Sequence, residues 1–420
     1  MRAVACASER ILIIGAGQAG GRAAEALRAA GYAGPVTMVG DEADPPYERP
    51  ALSKGVLLGD ETAESTHLHP RDYWRAKDIE LLCGVRAEAI APGNRSVIVS
   101  DGTRLDYAQL ILATGSRVRP LIGVDDTLAG VHYLRTLADC KRLARDLVPG
   151  RQVVVIGGGF IGLEAASSAA KLGLKVTVLE RQNALLERAL PVRIASAVET
   201  LHRTRGVDVR LGATVTALHG SGRVSAVALD DGSELPADVV VIGIGIIPNT
   251  ELAESAGAAS ADGVVTDEFG RTSVEGLWAA GDVTNHYNPV LGRRIRLESW
   301  QNAQNQAIAV AKNAIGKPVP YAEVPWFWSD QHGVNIQMVG LSEQGAQVVW
   351  RGDPATGKAM AFSVVDGRIV CATAFNSGAE IRFARKLIET RLRVSTAVLA
   401  DGGRKLKDLA AGRVHAGAAA

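Results

Sequence analysis

Two glycine-rich segments hold the residues best suited to chemistry, GAGQAG at Gly15–Gly20 and GGGFIG at Gly157–Gly162. Both have the spacing GxGxxG. The first glycine of each (Gly15, Gly157) permits a tight turn out of a strand. The second (Gly17, Gly159) has no side chain, so a pyrophosphate can approach the backbone. The third (Gly20, Gly162) lets a helix pack closely on a sheet. The helix that follows points free N–H groups and its positive dipole end at the phosphates. An acid then follows where an adenosine ribose needs an acceptor: Asp41, about 21 residues past Gly20, and Glu180, about 18 past Gly162. Two such sites in one chain mean two dinucleotides, or electron traffic between them.

The elements that must position these residues occur twice. Arg10–Glu42 and Arg151–Arg181 each read as a buried apolar strand, a glycine turn, an Ala-rich helix, a short loop and a second apolar strand ending in an acid. That is the βαβ unit. Around them, Leu110–Gly115 (LILATG) is an apolar strand closing in a small-residue turn at Thr114 and Gly115, and Val239–Pro248 reads as another such strand. Thr272–Val283 brings a strand to Gly281 and Asp282, where the aspartate either holds the sugar hydroxyls of a cofactor or closes a turn. From about Pro320 the texture changes. Residues 325–375 alternate as strands do, Trp326, Phe327 and Trp328 cluster, and a helical pattern covers about Ile381–Leu392. The reading is an α/β chain with two Rossmann-like dinucleotide-binding domains and a C-terminal α+β domain.

Composition narrows the function. The 420 residues are 47% hydrophobic and 22% charged, as expected of two or three globular domains. A formal net charge of +1 provides no global field for nucleic acid or an anionic membrane. No apolar run approaches the roughly 20 residues of a membrane span, and the short N-terminal stretch does not read as a signal peptide, so a cytoplasmic protein is expected. Cys6, Cys83, Cys140 and Cys371 lie far apart with no metal-ligand spacing. They read as small buried thiols, and no metal site is expected. The tail HAGAAA is expected to fray.

The motifs GAGQAG, LATG, GGGFIGLE and WAAGD, in this order, resemble the pyridine-nucleotide flavoprotein oxidoreductases of the glutathione reductase superfamily. More narrowly, ERPALSKG, YLRTLAD, RLESWQNAQNQA and PWFWSDQHGVNIQMVGLS resemble the FAD-dependent, putidaredoxin reductase-like ferredoxin reductases of bacterial oxygenase systems. PWFWSDQ is the most specific of these because it lies outside the nucleotide folds, and the resemblance covers nearly the whole chain. It implies a discontinuous FAD domain (1–115 and 245–320), an inserted NAD domain (116–244) and a C-terminal domain (321–420). The FAD contacts it implies are Gly15, Gly17, Ala19, Gly20, Asp41, Arg49, Lys54, Thr114, Gly115, Arg135, Asp282 and Trp300. For NAD they are Gly157, Gly159, Ile161, Gly162 and Glu180.

Cysteine then divides the superfamily. Its disulfide reductases carry a CxxxxC pair after the first acid, and its peroxidases and oxidases a single cysteine there. Here nothing between Asp41 and Leu82 is cysteine, so a thiolate relay beside the flavin is excluded. Electrons must leave the flavin directly. An iron–sulfur cluster accepts them one at a time, so the resemblance implies NADH reducing FAD and FAD reducing a 2Fe–2S ferredoxin. Lys54 is expected to place its ammonium near flavin N5, paired with Glu164. Glu298 is expected to help position the nicotinamide, and Trp328 to pack against the flavin. Glu180 favours NADH because a carboxylate repels a 2′-phosphate, although Arg181 beside it could welcome one. Arg382, Arg385 and Lys386 would share one helical face and could dock an acidic ferredoxin. An NADH:rubredoxin or other acceptor reductase on the same fold remains open, as does a redox-signalling flavoprotein resembling apoptosis-inducing factor.

Overall fold

A computed structural model describes residues 9–412. Cys6 and the tail HAGAAA lie outside the described residues. The chain divides into two units. One takes the residues up to Pro50, Thr62–Arg117 and Ile246–Glu323; the other takes Ala51–Glu61, Val118–Gly245 and everything from Val324. The inserted and C-terminal segments thus fall in one unit, and the short stretch bearing Lys54 falls with them.

The first unit is built on a five-stranded parallel sheet in the order Leu277–Ala279, Gln109–Leu112, Ile11–Ile14, Val36–Gly40, Ile79–Cys83. Its central strand is apolar at every position because both faces are covered. Ile11 and Ile13 pack with Ala23, Ala24 and Leu27 of the helix Gln18–Ala29, and with Ala307 and Val310 of the helix Trp300–Ala314. Leu12 and Ile14 pack on the other face with Val97, Leu105 and Ala253. Each of the larger side chains, the isoleucines, leucines and valines, contributes roughly 1.5–3 kcal/mol on burial.

The second unit repeats the plan: Val131–Tyr133, Val239–Ile242, Gln152–Ile156, Lys175–Glu180, Asp208–Leu211, all parallel. The expected single strand Val239–Pro248 is broken at Gly243–Gly245, and a short strand Ile246–Pro248 follows. Gly245 has φ +107°, which only glycine adopts without strain. The C-terminal segment forms an antiparallel sheet ordered Trp326–Gln331, Val334–Gly340, Arg368–Phe375, Lys358–Val365, Gln347–Asp353. The expected C-terminal helix runs Gly378–Thr390 and ends at Arg391 in the left-handed region.

Candidate functional site: two glycine cradles and a buried ion pair

In the first unit Gly15 has φ +109°, and a Cβ there would lie 2.1 Å from the Ala113 carbonyl oxygen. A Cβ on Gly20 would lie 1.8 Å from the Gly15 oxygen, so the helix and turn could not close with any larger residue. Gly17 differs: a Cβ there would meet only the Arg49 guanidinium, 3.8 Å away. It caps the helix Gln18–Ala29 with no side-chain hydrogen bond, so the N–H groups of the first turn are left for a ligand. Gln18 in that turn is buried, and neither of its amide atoms has a hydrogen-bond partner among the described residues. A buried amide in that state costs about 1–3 kcal/mol unless something bonds it. An open glycine, uncapped helix N–H groups and an orphaned amide fit a bound dinucleotide.

Arg49 is held at this turn. Its guanidinium bonds Glu42 at 2.6 Å and the Tyr47 hydroxyl at 2.8 Å, and Tyr47 donates to Glu42 at 2.6 Å. Burial works against the charge, but Tyr47, Glu42 and Asp282 together raise the guanidinium above its ordinary range. Asp282 follows Gly281, whose N–H bonds the Gln306 side chain at 2.8 Å, and Ala19 is buried beside Gly281. Thr114 donates to the Asn249 carbonyl, while the Asn249 side chain and backbone donate to Thr114 and Gly115. Trp300 opens the helix Trp300–Ala314, behind the capping hydroxyl of Ser299. Glu298 is exposed and ion-paired to Arg296.

Asp41 is not the counterpart of Glu180. The Gly15 N–H bonds Val39 and the Gly157 N–H bonds Leu179, each at 2.8 Å, which sets Gly40 at the position of Glu180. Asp41 lies one residue beyond the strand, 63% exposed and 3.9 Å from Arg86. The loop before the second strand is longer in the first copy, and counting from the glycines passes over that difference.

In the second unit Gly157 has φ +110°, and a Cβ on Gly162 would lie 2.2 Å from the Gly157 oxygen. A Cβ on Gly159 would meet only the Gly243 oxygen at 3.8 Å, and the helix Phe160–Lys171 also starts without a side-chain cap. This second cradle is open in the same way. Glu180 turns back onto it, accepting the Gly158 N–H at 2.7 Å and the Gln182 N–H at 2.8 Å. Arg181 and Ile161 are exposed.

The same helix carries Glu164, 3% exposed. Its carboxylate accepts Lys54 Nζ at 2.9 Å, Ser53 Oγ at 2.5 Å and Ser329 Oγ at 2.6 Å. Lys54 Nζ also lies over the Trp328 ring, 5.7 Å from its centre, and Trp328 stacks on Trp326. Phe160 packs on Phe327. Removing one partner of a buried ion pair typically costs about 3–5 kcal/mol. Ser168 donates to the Ser53 carbonyl at 2.7 Å and Lys171 pairs with Asp60 at 3.1 Å. These bonds explain why residues 51–61 go with this unit. Arg135 leads into the helix Leu137–Asp146, on which the short helix Gly55–Leu58 packs.

Of the expected residues, Arg49 and Asp282 are thus brought to the first cradle, and Lys54, Glu164 and Trp328 to one another. Glu42, Tyr47, Asn249, Ser53 and Ser329 are not among the expected residues; Ser53 lies in ERPALSKG and Ser329 in PWFWSDQ, but nothing local marks the partner of any of the five. Of the described cysteines Cys140 and Cys371 are buried as expected, while Cys83 is only half-buried; burial disfavours the thiolate in each, pushing Cys140 up to about 11 and Cys371 up to about 12 and raising Cys83.

Residues 9–307 match the model of the pyridine nucleotide-disulphide oxidoreductase family, and residues 326–410 match the reductase C-terminal domain. The chain is 44% identical over 395 residues to the ferredoxin–NAD(+) reductase component of the anthranilate 1,2-dioxygenase system of Burkholderia cepacia, covering 94% of this chain and 97% of that one. It is 39% identical to putidaredoxin reductase of Pseudomonas putida, covering 96% and 97%. Among solved structures, the covalent putidaredoxin reductase–putidaredoxin complex superposes with a TM-score of 0.93 at 39% identity, covering 96% of this chain and 98% of that one. With two open glycine cradles, nearly the whole length matched and no cysteine at the redox position, the chain belongs to the pyridine nucleotide-disulphide oxidoreductase family, as one of its ferredoxin reductase-like members.

Proposed function

We propose that this protein passes electrons from NADH through FAD, one at a time, to a 2Fe–2S ferredoxin that serves a monooxygenase or dioxygenase. The cofactors are FAD and NADH. The observation that carries the reading is the buried Lys54–Glu164 pair beside Trp328, in a chain with no cysteine between Asp41 and Leu82. The lysine head held there serves direct electron transfer, and no thiol competes for the electrons. When bound, FAD supplies the chemistry that splits a two-electron donation into single electrons.

The chain's own residues bind, orient and stabilise. Gly15, Gly17 and Gly20 shape the FAD pyrophosphate cradle, with Arg49, Asp282, Thr114 and Gly115 around it. Gly157, Gly159 and Gly162 do the same for NADH. Glu180 is held rigidly and offers acceptors to a ribose, which favours NADH over NADPH. Glu164 fixes the Lys54 ammonium, which supplies positive charge where reduction adds negative charge. Trp328 covers that charge from one side. Glu298 contributes to nicotinamide placement through the orientation Arg296 gives it. Among the described residues no helix is long and apolar enough to cross a membrane; we assign the protein to the cytoplasm.

The test is an anaerobic titration of the purified protein with NADH and then NADPH, followed in the visible spectrum. Stoichiometric bleaching by NADH and reoxidation by a 2Fe–2S ferredoxin are expected. Bound flavin that NADH does not bleach, or a colourless protein that cannot be reconstituted with FAD, overturns the reading.

A further inference from the structure

Behind the Lys54–Glu164 pair a line of hydrogen bonds runs through buried side chains. Ser329 Oγ meets Glu164 Oε1 at 2.6 Å, Gln331 Nε2 meets Ser329 Oγ at 2.9 Å, Gln331 Oε1 meets His202 Nε2 at 2.8 Å, and His202 Nδ1 meets His332 Nε2 at 3.1 Å. Ser329, Gln331 and His202 have no measurable exposure, and His332 is the first partly exposed member. The line joins three elements: the helix Phe160–Lys171, the hairpin after Trp326–Gln331, and the helix Val192–Thr204.

One end decides the direction of every bond. A carboxylate only accepts. Ser329 must therefore donate to Glu164, so its own oxygen is free to accept from the Gln331 amide. With its NH2 committed, Gln331 turns its oxygen to His202. His202 must then carry its proton on Nε2, which leaves Nδ1 to accept from His332. Both rings suit this as neutral imidazoles: burial first, then His202 and Arg205, pushes His332 down to about 4, and burial lowers His202 despite Gln331. The far end is anchored separately. His332 has φ +51° at the hairpin tip, next to Gly333 at +76°, and its backbone N–H donates to Ser167 Oγ at 2.7 Å. A carboxamide does not hand protons on as water or imidazole does, so Gln331 makes this an orienting line rather than a proton wire.

We propose that Gln331, His202 and His332 are positioning residues for the Lys54–Glu164 pair: they hold the Ser329 hydroxyl where it can donate to Glu164, and so hold the carboxylate that anchors the lysine. This rests on the reading that Lys54 supplies charge to the flavin.

The experiment measures the midpoint potential of the FAD-loaded protein against an indicator dye for wild type, Lys54→Met, Gln331→Leu, His202→Leu and His202→Gln. The imidazole tautomers of the wild type are read by heteronuclear NMR. Lys54→Met is expected to lower the ratio of reduced to oxidised flavin at fixed potential about tenfold, which is about 30 mV for a two-electron couple. Gln331→Leu and His202→Leu should move it the same way by roughly threefold or more, since each removes two bonds of the line. His202→Gln, which can both donate and accept, should restore the wild-type value. His202 should carry its proton on Nε2. Wild-type potentials in both leucine variants, with Lys54→Met shifted, overturn the inference and leave the functional reading intact. An unmoved Lys54→Met overturns the placement of Lys54, and the inference with it. If the leucine variants do not fold, the tautomer decides: a proton on Nδ1 of His202 with Nε2 bare overturns the line.

Discussion

Glu180 Oε2 accepts the backbone N–H of Gly158 at 2.7 Å, which clamps the end of one strand against the turn of the second cradle. The other carboxylate oxygen holds the Gln182 N–H. If the second cradle takes NADH as proposed, a carboxylate fixed this way would meet the ribose and repel a 2′-phosphate. Glu180→Ala should reduce kcat/KM for NADH by about tenfold or more, in keeping with hydrogen bonds to a charged group worth roughly 1.5–3 kcal/mol. The same change should raise kcat/KM for NADPH, with Arg181 at hand. Steady-state kinetics with both nucleotides checks this, and an unchanged ratio counts against Glu180 as the selector.

The same corner of the first copy is built with the sizes exchanged. Gly158 faces Glu180 in the second copy; Ala16 faces Gly40 in the first. A Cβ on Gly40 would lie 2.4 Å from the Ala16 Cβ. Gly40→Ala should therefore destabilise the protein by about 1–3 kcal/mol through overpacking. Ala16→Gly alone should cost up to about 1 kcal/mol in chain entropy. Together they should cost less than the sum, because the second change removes the clash of the first. A double-mutant cycle in urea measures the coupling; strict additivity would mean that the two positions do not meet.

That exchange also shows where the sequence stops being readable. The glycines, apolar strands and Ala-rich helices announce themselves, because local backbone needs dictate them. The pairing of Lys54 with Glu164 comes only from the family resemblance. Asp41 misleads because the acid rule counts along the chain, whereas the ladder from Gly15 to Val39 sets the register and puts Gly40 at the corner. Glu42 and Tyr47 around Arg49, Asn249 across from Thr114, and Ser53 and Ser329 on Glu164 are partners from distant parts of the chain. No periodicity records such pairings, since each serine or asparagine alone looks like an ordinary polar residue. The grouping of residues 51–61 with the second unit is of the same kind, carried by Ser168, Lys171 and Glu164 rather than by any local signal.

The helix Gly378–Thr390 presents Arg382 and Lys386 to solvent, with Arg385 half-buried; Lys386 lies 3.7 Å from Glu389. If this face docks an acidic ferredoxin, Arg382→Glu with Lys386→Glu should lower kcat/KM for ferredoxin by about tenfold at low salt, mostly through association. The deficit should shrink as salt screens charges beyond the Debye length of about 8–10 Å. Reduction of a small neutral acceptor such as a quinone should be unaffected. Unchanged ferredoxin kinetics at low salt would place the dock elsewhere.

His286 is 1% exposed, and neither ring nitrogen has a hydrogen-bond partner among the described residues. It faces the Tyr321 ring at 5.3 Å, and burial, with Arg294 adding to it, pushes its pKa down to about 4. The unfolded chain protonates an ordinary histidine near 6.5. Between those two values the unfolded state binds more protons, so stability falls as pH falls from about 6.5 towards 4. The full effect is on the order of 3 kcal/mol, at about 1.4 kcal/mol per unit. Above about pH 6.5 the group is neutral in both states and contributes no slope. His286→Phe keeps the ring, cannot charge, and removes two orphaned nitrogens. Its denaturant midpoint should therefore drop less steeply between pH 6.5 and 4.5 than that of the wild type, with the two curves running parallel above pH 7. Equal slopes in the acid range would show that His286 is protonated in the folded protein and has a partner there.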